Sequence, residues 1–247
     1  MNLIEKINYR LFDTTNFIRK REAKIVLKYI GKEKNKKILD LGCGSGFLSL
    51  ILLRKKFSVY SIDFDIFYLK LFKKRAELFS LNPDIILGDA HFIPCKSNFF
   101  DFIVCNSSLE HFEKDILALK EANRVLKEGG YIILCVDSLK GFDDITVARH
   151  KKNAKVVSLY TKEEIMEKLK LSGFEVIDTK YYLNSPLSVK LVKGVALRAR
   201  ESLFKQIIFR IPFMFYYLIS IFSDNFFGKE NIAFGLASIG KKSGGMS

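Results

Sequence analysis

Paired cysteines are missing from this sequence. Cys43, Cys95, Cys105 and Cys135 form no CxxC pair, and three of them fall inside or beside apolar, strand-like runs. The pattern argues against a disulfide framework and for buried free thiols in a reducing cytosol. The three histidines, His91, His111 and His150, show no ligand spacing with the cysteines, so no metal site is expected. No apolar run reaches the ~20 residues that span a bilayer. The longest, residues 211–222, is limited by Arg210 and Pro212. The N-terminal Met1-Asn-Leu-Ile-Glu-Lys lacks an apolar core followed by a cleavage site, so no secretory signal is expected. Internal repeats and low-complexity segments are absent, and so is tryptophan.

What is present is a globular composition with an excess of positive charge. The 247 residues suffice for one full core, or one core with an appendage. The net charge of +14 suits an anionic partner such as nucleic acid, phospholipid or a phosphorylated substrate. A lysine-rich surface without any such role accounts for it equally well. Charge speaks to partners and solubility, not to fold.

The chain is organised around residues 37–50. A short apolar run, 38–41, leads into Gly42, Gly44 and Gly46, and a longer apolar run follows. The pattern predicts a buried strand, a tight turn and a helix packed on that strand. Alternate glycines let the backbone approach a ligand, and the first helical amides point at the same place. Upstream, residues 1–36 read as one or two amphipathic helices, with a basic cluster, Arg19-Lys20-Arg21, between their two sets of apolar positions. Downstream, strands are expected at 57–63, 84–89, 99–106, 131–136, 174–182 and 232–239. Helices are expected at 64–80 and 115–127, and another opens at Thr161-Lys-Glu-Glu164, which spells a capping box. Strands apolar on both faces and alternating with helices indicate a parallel sheet covered on both sides.

Four features fall at strand ends, where open α/β sheets place their ligands. They are the glycine turn, Asp63, Asp89 and Asn106. An acid after the second strand suits ribose hydroxyls, and Phe64 beside it offers a face to a planar base. Asp89 suits an exocyclic amine. Each acid taken alone reads as a helix cap or a solvated loop residue; their joint spacing carries the case. The glycine pattern is not GxGxxG, since Phe47 stands where a glycine would be needed, and no Gly-Lys-Ser/Thr follows to make a P-loop.

The segment Ile38-Leu-Asp-Leu-Gly-Cys-Gly-Ser-Gly46 resembles the first motif of the class I S-adenosylmethionine-dependent methyltransferases. Further matches follow in the family's order: Ser61-Ile-Asp63, Gly88-Asp-Ala90, residues 99–106, Leu109-Glu-His111 and residues 121–130. The resemblance covers about 36–182 and points to the small-molecule (type 11-like) branch that includes quinone-ring methylating enzymes. It implies a Rossmann-like three-layer α/β/α sandwich. The seven-stranded, mostly parallel sheet would have an antiparallel last strand and a helical insertion between strands six and seven. The implied organisation is an N-terminal helical segment 1–36, a cofactor-binding core 37–182, an apolar and basic insertion 183–230, and a last strand with tail 231–247.

The same resemblance implies residue roles. Asp40 and the backbone of Gly42, Cys43, Gly44 and Gly46 would hold the methionine part of S-adenosylmethionine. Asp63 would hold the ribose, Asp89 and Ala90 the adenine, and the Asn106 carbonyl the amino group. Methyl transfer from a sulfonium needs alignment and a dry site, and a base only where the acceptor must lose a proton. His111 is the candidate base, with a purely structural role in its turn as the competing reading; Glu110 ranks behind it. The Asn106-Ser-Ser-Leu sequence lacks the Asn/Asp-Pro-Pro-Tyr signature of enzymes that methylate exocyclic or amide nitrogens, which argues against DNA bases and several RNA classes. The expected acceptor is therefore oxygen or carbon of a small or lipid-linked molecule: a quinone, a lipid or a sugar on a polyprenyl carrier. RNA methylation and a non-catalytic cofactor-binding role are the alternatives. The insertion reads as a lid, an interfacial helix contacting the inner membrane face of a cytosolic protein through residues 204–223, or a dimer surface.

Overall fold

The computed structural model describes residues 17–198 and 210–244. A first helix, α1 (Phe17–Ile30), precedes β1 (Lys37–Leu41), α2 (Phe47–Arg54), β2 (Ser58–Asp63), α3 (Ile66–Glu77), β3 (Asp84–Leu87) and β4 (Phe100–Asn106). A short 3-10 turn at Leu109–His111 leads to α4 (Asp115–Val125), β5 (Leu126–Lys140), α5 (Asp144–Ala154), α6 (Lys162–Leu171) and β6 (Phe174–Tyr182). The chain ends with α7 (Pro186–Arg198), α8 (Arg210–Phe227) and β7 (Ala233–Lys242).

One seven-stranded sheet runs in the order β3-β2-β1-β4-β5-β7-β6. β1 to β5 pair in parallel, and β7 lies antiparallel between β5 and β6. This is the expected mostly parallel sheet with its last strand reversed. β1 shows why the strands read as unbroken apolar runs. Ile38, Leu39 and Leu41 are all buried, although successive side chains point to opposite faces. α1 and α2 cover one face through Phe17, Val26, Leu48 and Leu52. α4 and α6 cover the other through Ala118, Leu119, Ile165 and Leu169.

The order places β1 beside β4, which is not its neighbour in sequence. From β1 the chain winds outward to β3 and returns to β4, so their carboxyl ends open on a crevice with no loop crossing it. The glycine turn leaves β1 at that crevice, and Asn106 ends β4 there.

The capping box is present: the Thr161 hydroxyl accepts from the Glu164 amide, and the Glu164 carboxylate accepts from the Thr161 amide. Three local expectations need correction. The Arg19-Lys20-Arg21 cluster does not separate two helices but lies within α1, where Arg19 and Arg21 make long-range contacts. β5 runs from Leu126 to Lys140, well beyond 131–136, because β7 pairs with it as far as Lys140. α5 is a helix with no buried residue, which left no apolar periodicity to read. The helix expected in the first residues of the chain lies outside the described residues.

Candidate functional site

The turn after β1 is fastened from three sides. Gly42 and Cys43 both donate from their backbone amides to the Ile62 carbonyl, at 2.9 and 3.0 Å. The Gly44 amide donates to Asp63 Oδ2 at 2.7 Å, while Asp63 Oδ1 accepts from the Asp65 amide at 2.9 Å. From α3, buried Arg75 donates to the Ser45 carbonyl at 2.6 Å and to its hydroxyl at 3.0 Å. The turn is held rigid before any ligand arrives.

Two glycines in it do different work. Gly46 has φ +75°, and a Cβ there would lie 2.1 Å from the Phe72 ring, so this glycine lets α3 pack. Gly44 has φ +51°, but a Cβ there would meet nothing within 4 Å. Its left-handed backbone turns a bare peptide toward open space, which is where a ligand can come closest.

Asp40 does not face that space. It is buried, and its Oδ2 accepts from the Ser49 hydroxyl at 2.5 Å; Ser49 in turn lies 2.8 Å from Ser61. Burial raises the Asp40 carboxyl to about 6. Cys43 is also buried, and burial pushes its thiol well above the ordinary range. Phe64 is 76% exposed just past Asp63. Asp89 accepts from the His91 amide at 2.9 Å and meets the His91 ring at 2.6 Å; these hydrogen bonds hold its carboxyl below the usual range. Ala90 beside it is buried.

Asn106 lies at the centre of a polar cluster that the sequence did not announce. Its carbonyl accepts from Arg19 Nη1 at 3.1 Å, and its side-chain amide donates to Glu22 Oε2 at 2.9 Å. Glu22, fully buried on α1, also accepts from the Ser107 and Tyr182 hydroxyls, both at 2.9 Å. Burial raises its carboxyl, with Arg19 opposing. Glu110 is fully buried, and neither of its carboxylate oxygens has a hydrogen-bond partner among the described residues. Burial, then the nearby Asp137, push its carboxyl well above the ordinary value. Its full burial keeps it away from an incoming acceptor. His111 is exposed, with Nδ1 3.2 Å from the Lys155 carbonyl. Sequence reading missed Arg19, Glu22, Ser49 and Arg75. Only Arg19 carried a signal, as a cation on a helix that otherwise packs apolar residues.

Residues 39–134 match the family described as Methyltransferase domain. In sequence this stretch is similar to methyltransferase domains. A demethylmenaquinone methyltransferase from Staphylococcus aureus is 34% identical to the chain over 118 residues, 47% of this chain and 48% of that protein. The chain thus spans about half the length of the curated relatives it matches. Among solved structures, an S-adenosylmethionine-dependent methyltransferase from Methanosarcina mazei superposes with a TM-score of 0.61 at 20% identity. The match covers 89% of this chain and 97% of that one. The cyclase SpnF superposes with a TM-score of 0.67 at 18% identity, covering 91% and 82%. The chain therefore shares its fold with a protein named for a different reaction, and the fold alone does not decide the chemistry.

Proposed function

We propose that this protein transfers a methyl group from S-adenosylmethionine to oxygen or carbon of an apolar, lipid-linked acceptor, with a quinone-type ring as the favoured class. The observation that carries the acceptor class is the surface built by α7 and α8. A cavity of about 810 Å³ lies there, lined by Pro186, Leu187, Leu218, Ile219, Phe222 and Phe227, with Lys229 at its edge. Phe215, Leu218, Phe222, Phe226 and Phe227 are all exposed along α8. A face so apolar suits an isoprenoid or acyl tail, or a membrane surface that delivers one. The name of the Staphylococcus aureus relative agrees with a quinone-type ring.

The residues at the crevice suit the cofactor. The open side of Gly44 admits the methionine portion, with the Gly42 to Gly46 backbone around it and Asp40 bracing the turn through Ser49. Asp63 would take the ribose, and exposed Phe64 with Asp89 and Ala90 the adenine. The Asn106 carbonyl would accept from the amino group, with Arg19 yielding that oxygen and turning to the neighbouring carboxylate. When bound, S-adenosylmethionine supplies a methyl group already activated by its sulfonium. The chain's part is then to align the acceptor with it and to exclude water. α1 would contribute to the latter by staying closed over Asn106 through Glu22.

The test is methyl transfer from labelled S-adenosylmethionine to 1,4-naphthohydroquinone carrying a geranyl tail, kept reduced. Label in the organic phase is expected. Label recovered only in an RNA or amine fraction would overturn the acceptor class.

A further inference from the structure

Methylation at oxygen or carbon of a ring hydroxyl system requires a group that removes a proton. Neither sequence candidate suits that task. Glu110 is fully buried, and His111 is exposed with a carbonyl as its ring partner. A different pair has the required arrangement. His150 Nε2 lies 2.6 Å from Asp137 Oδ2. Because a carboxylate can only accept, this contact assigns the neutral imidazole its proton on Nε2 and leaves the Nδ1 lone pair open; among the described residues none bonds to Nδ1. The Asp137 side chain is 9% exposed and that of His150 20%, so the carboxylate is sheltered while the imidazole keeps a path outward.

The pair is also in the right part of the molecule. Asp137 lies on β5, two residues beyond Cys135, which pairs with Asn106 of β4. It is close enough to Arg19, Glu22 and Glu110 to shift the titration of each. It therefore borders the cluster around the Asn106 carbonyl. The Tyr160 amide donates to the Asp137 carbonyl at 3.1 Å and fixes that end of the strand. His150 is carried on α5, whose capping residue Asp143 accepts from Lys193 of α7 at 2.9 Å. The imidazole meets the Phe234 ring edge-on at 5.9 Å. α5 thus ties the Asp137 end of β5 to α7, the helix that carries Pro186 and Leu187 of the apolar cavity.

We infer that His150 is the general base of the methyl transfer and that Asp137 is its positioning residue, an inference that rests on the acceptor class proposed above. A hydroxyl of the acceptor gives its proton to His150 Nδ1. The electron pair it leaves forms the new bond to the methyl carbon, at that oxygen or through the ring at an adjacent carbon. The methyl–sulfur bond breaks with its pair on sulfur. At carbon, the displaced ring hydrogen leaves as a proton and the hydroxyl regains one, so one proton is released either way. Asp137 stabilises the imidazolium without taking the proton.

The experiment uses the full chain, S-adenosylmethionine and the geranyl naphthohydroquinone. His150→Gln should lower kcat by about 100-fold or more, with cofactor affinity and the KM for the hydroquinone within about threefold of wild type. Imidazole in the buffer should restore part of the activity of His150→Gly. Asp137→Asn should lower kcat, and Asp137→Glu should recover part of the loss. Independently of turnover, adding the hydroquinone to protein saturated with S-adenosylhomocysteine should shift the His150 ring resonances in NMR spectra. Unchanged resonances, or a His150→Gln variant within about threefold of an active wild type, would remove the base and leave the acceptor class standing. A wild type inert toward the hydroquinone would remove both.

Discussion

The carboxyl edge of β1, β2 and β4 and the α7–α8 surface are built on opposite principles. At the first, nearly every polar group is spoken for: Asp63 holds Gly44, Arg75 holds Ser45, and Ser49 holds Asp40. The site is rigid and specific, with one bare peptide facing outward at Gly44. At the second, five large apolar side chains of α8 stand exposed, and the polar work is concentrated in one residue. Asp224 accepts from the amides of Leu183, Asn184 and Ser185, from the Ser188 hydroxyl, and from Arg21 of α1. A preorganised cradle suits a ligand that is always the same. An anchored helix with an adaptable greasy face suits a tail.

The sharpest way to break this contrast is inside the glycine turn. Gly46→Ala forces a Cβ into Phe72 at a left-handed φ. It should cost about 3 kcal/mol or more of stability in a denaturant titration. Gly44→Ala should cost only about 1 kcal/mol, yet it should abolish cofactor binding because its methyl fills the ligand's space. Equal stability losses for the two would mean that Gly44 is not the open side of the cradle.

On the other side, Asp224→Ala leaves three backbone amides and Arg21 without their acceptor. The expected loss is about 2–3 kcal/mol, with faster hydrogen exchange at 183–188. Cofactor affinity should fall little, since the turn after β1 does not depend on α8. A matching collapse of cofactor binding would show that the two regions are one cooperative site.

The buried Asp40 offers a pH test of the cradle alone. Its carboxyl is raised above its unfolded value, so the folded state binds the extra proton between about pH 4 and 6. Its stabilising effect is fully present at low pH and is lost as pH rises through 6, by about 2–3 kcal/mol. Asp40→Asn, which keeps an acceptor for Ser49, should lack that component when the unfolding free energies of the two proteins are compared from pH 4 to 7. An unchanged pH profile would mean Asp40 is better solvated than its burial suggests.

The smallest stability effect belongs to the apolar face. Phe222→Ser with Phe226→Ser should leave stability within about 0.5 kcal/mol, because both side chains are already exposed. Binding to vesicles of anionic phospholipid should fall at least tenfold. Equal binding by variant and wild type would assign the face to an acceptor tail or a second copy of the chain.

The two regions also differ in how much of them could be read from sequence. β1, the glycine turn and the strand-end acids were legible because each follows from a local rule: apolar runs bounded by glycine, and acids at strand ends. The capping box at Thr161 was legible for the same reason. The partners that complete the site were not, because they arrive from far along the chain. Arg19 and Glu22 reach Asn106 across more than eighty residues, and Asp137 meets His150 only because α5 folds back on β5. α5 itself was invisible to periodicity, having no buried face. The α7–α8 surface was visible as composition, but its anchor at Asp224 looks like any acid near a helix end.

The central claim is that the turn after β1 binds S-adenosylmethionine. The direct measurement is calorimetric titration of that compound into the wild-type protein and into Asp63→Ala. One-to-one binding to the wild type is expected, weakened at least tenfold in the variant as the ribose acceptor and the Gly44 tie are lost together. No binding to the folded wild type, or equal binding by both proteins, would contradict it.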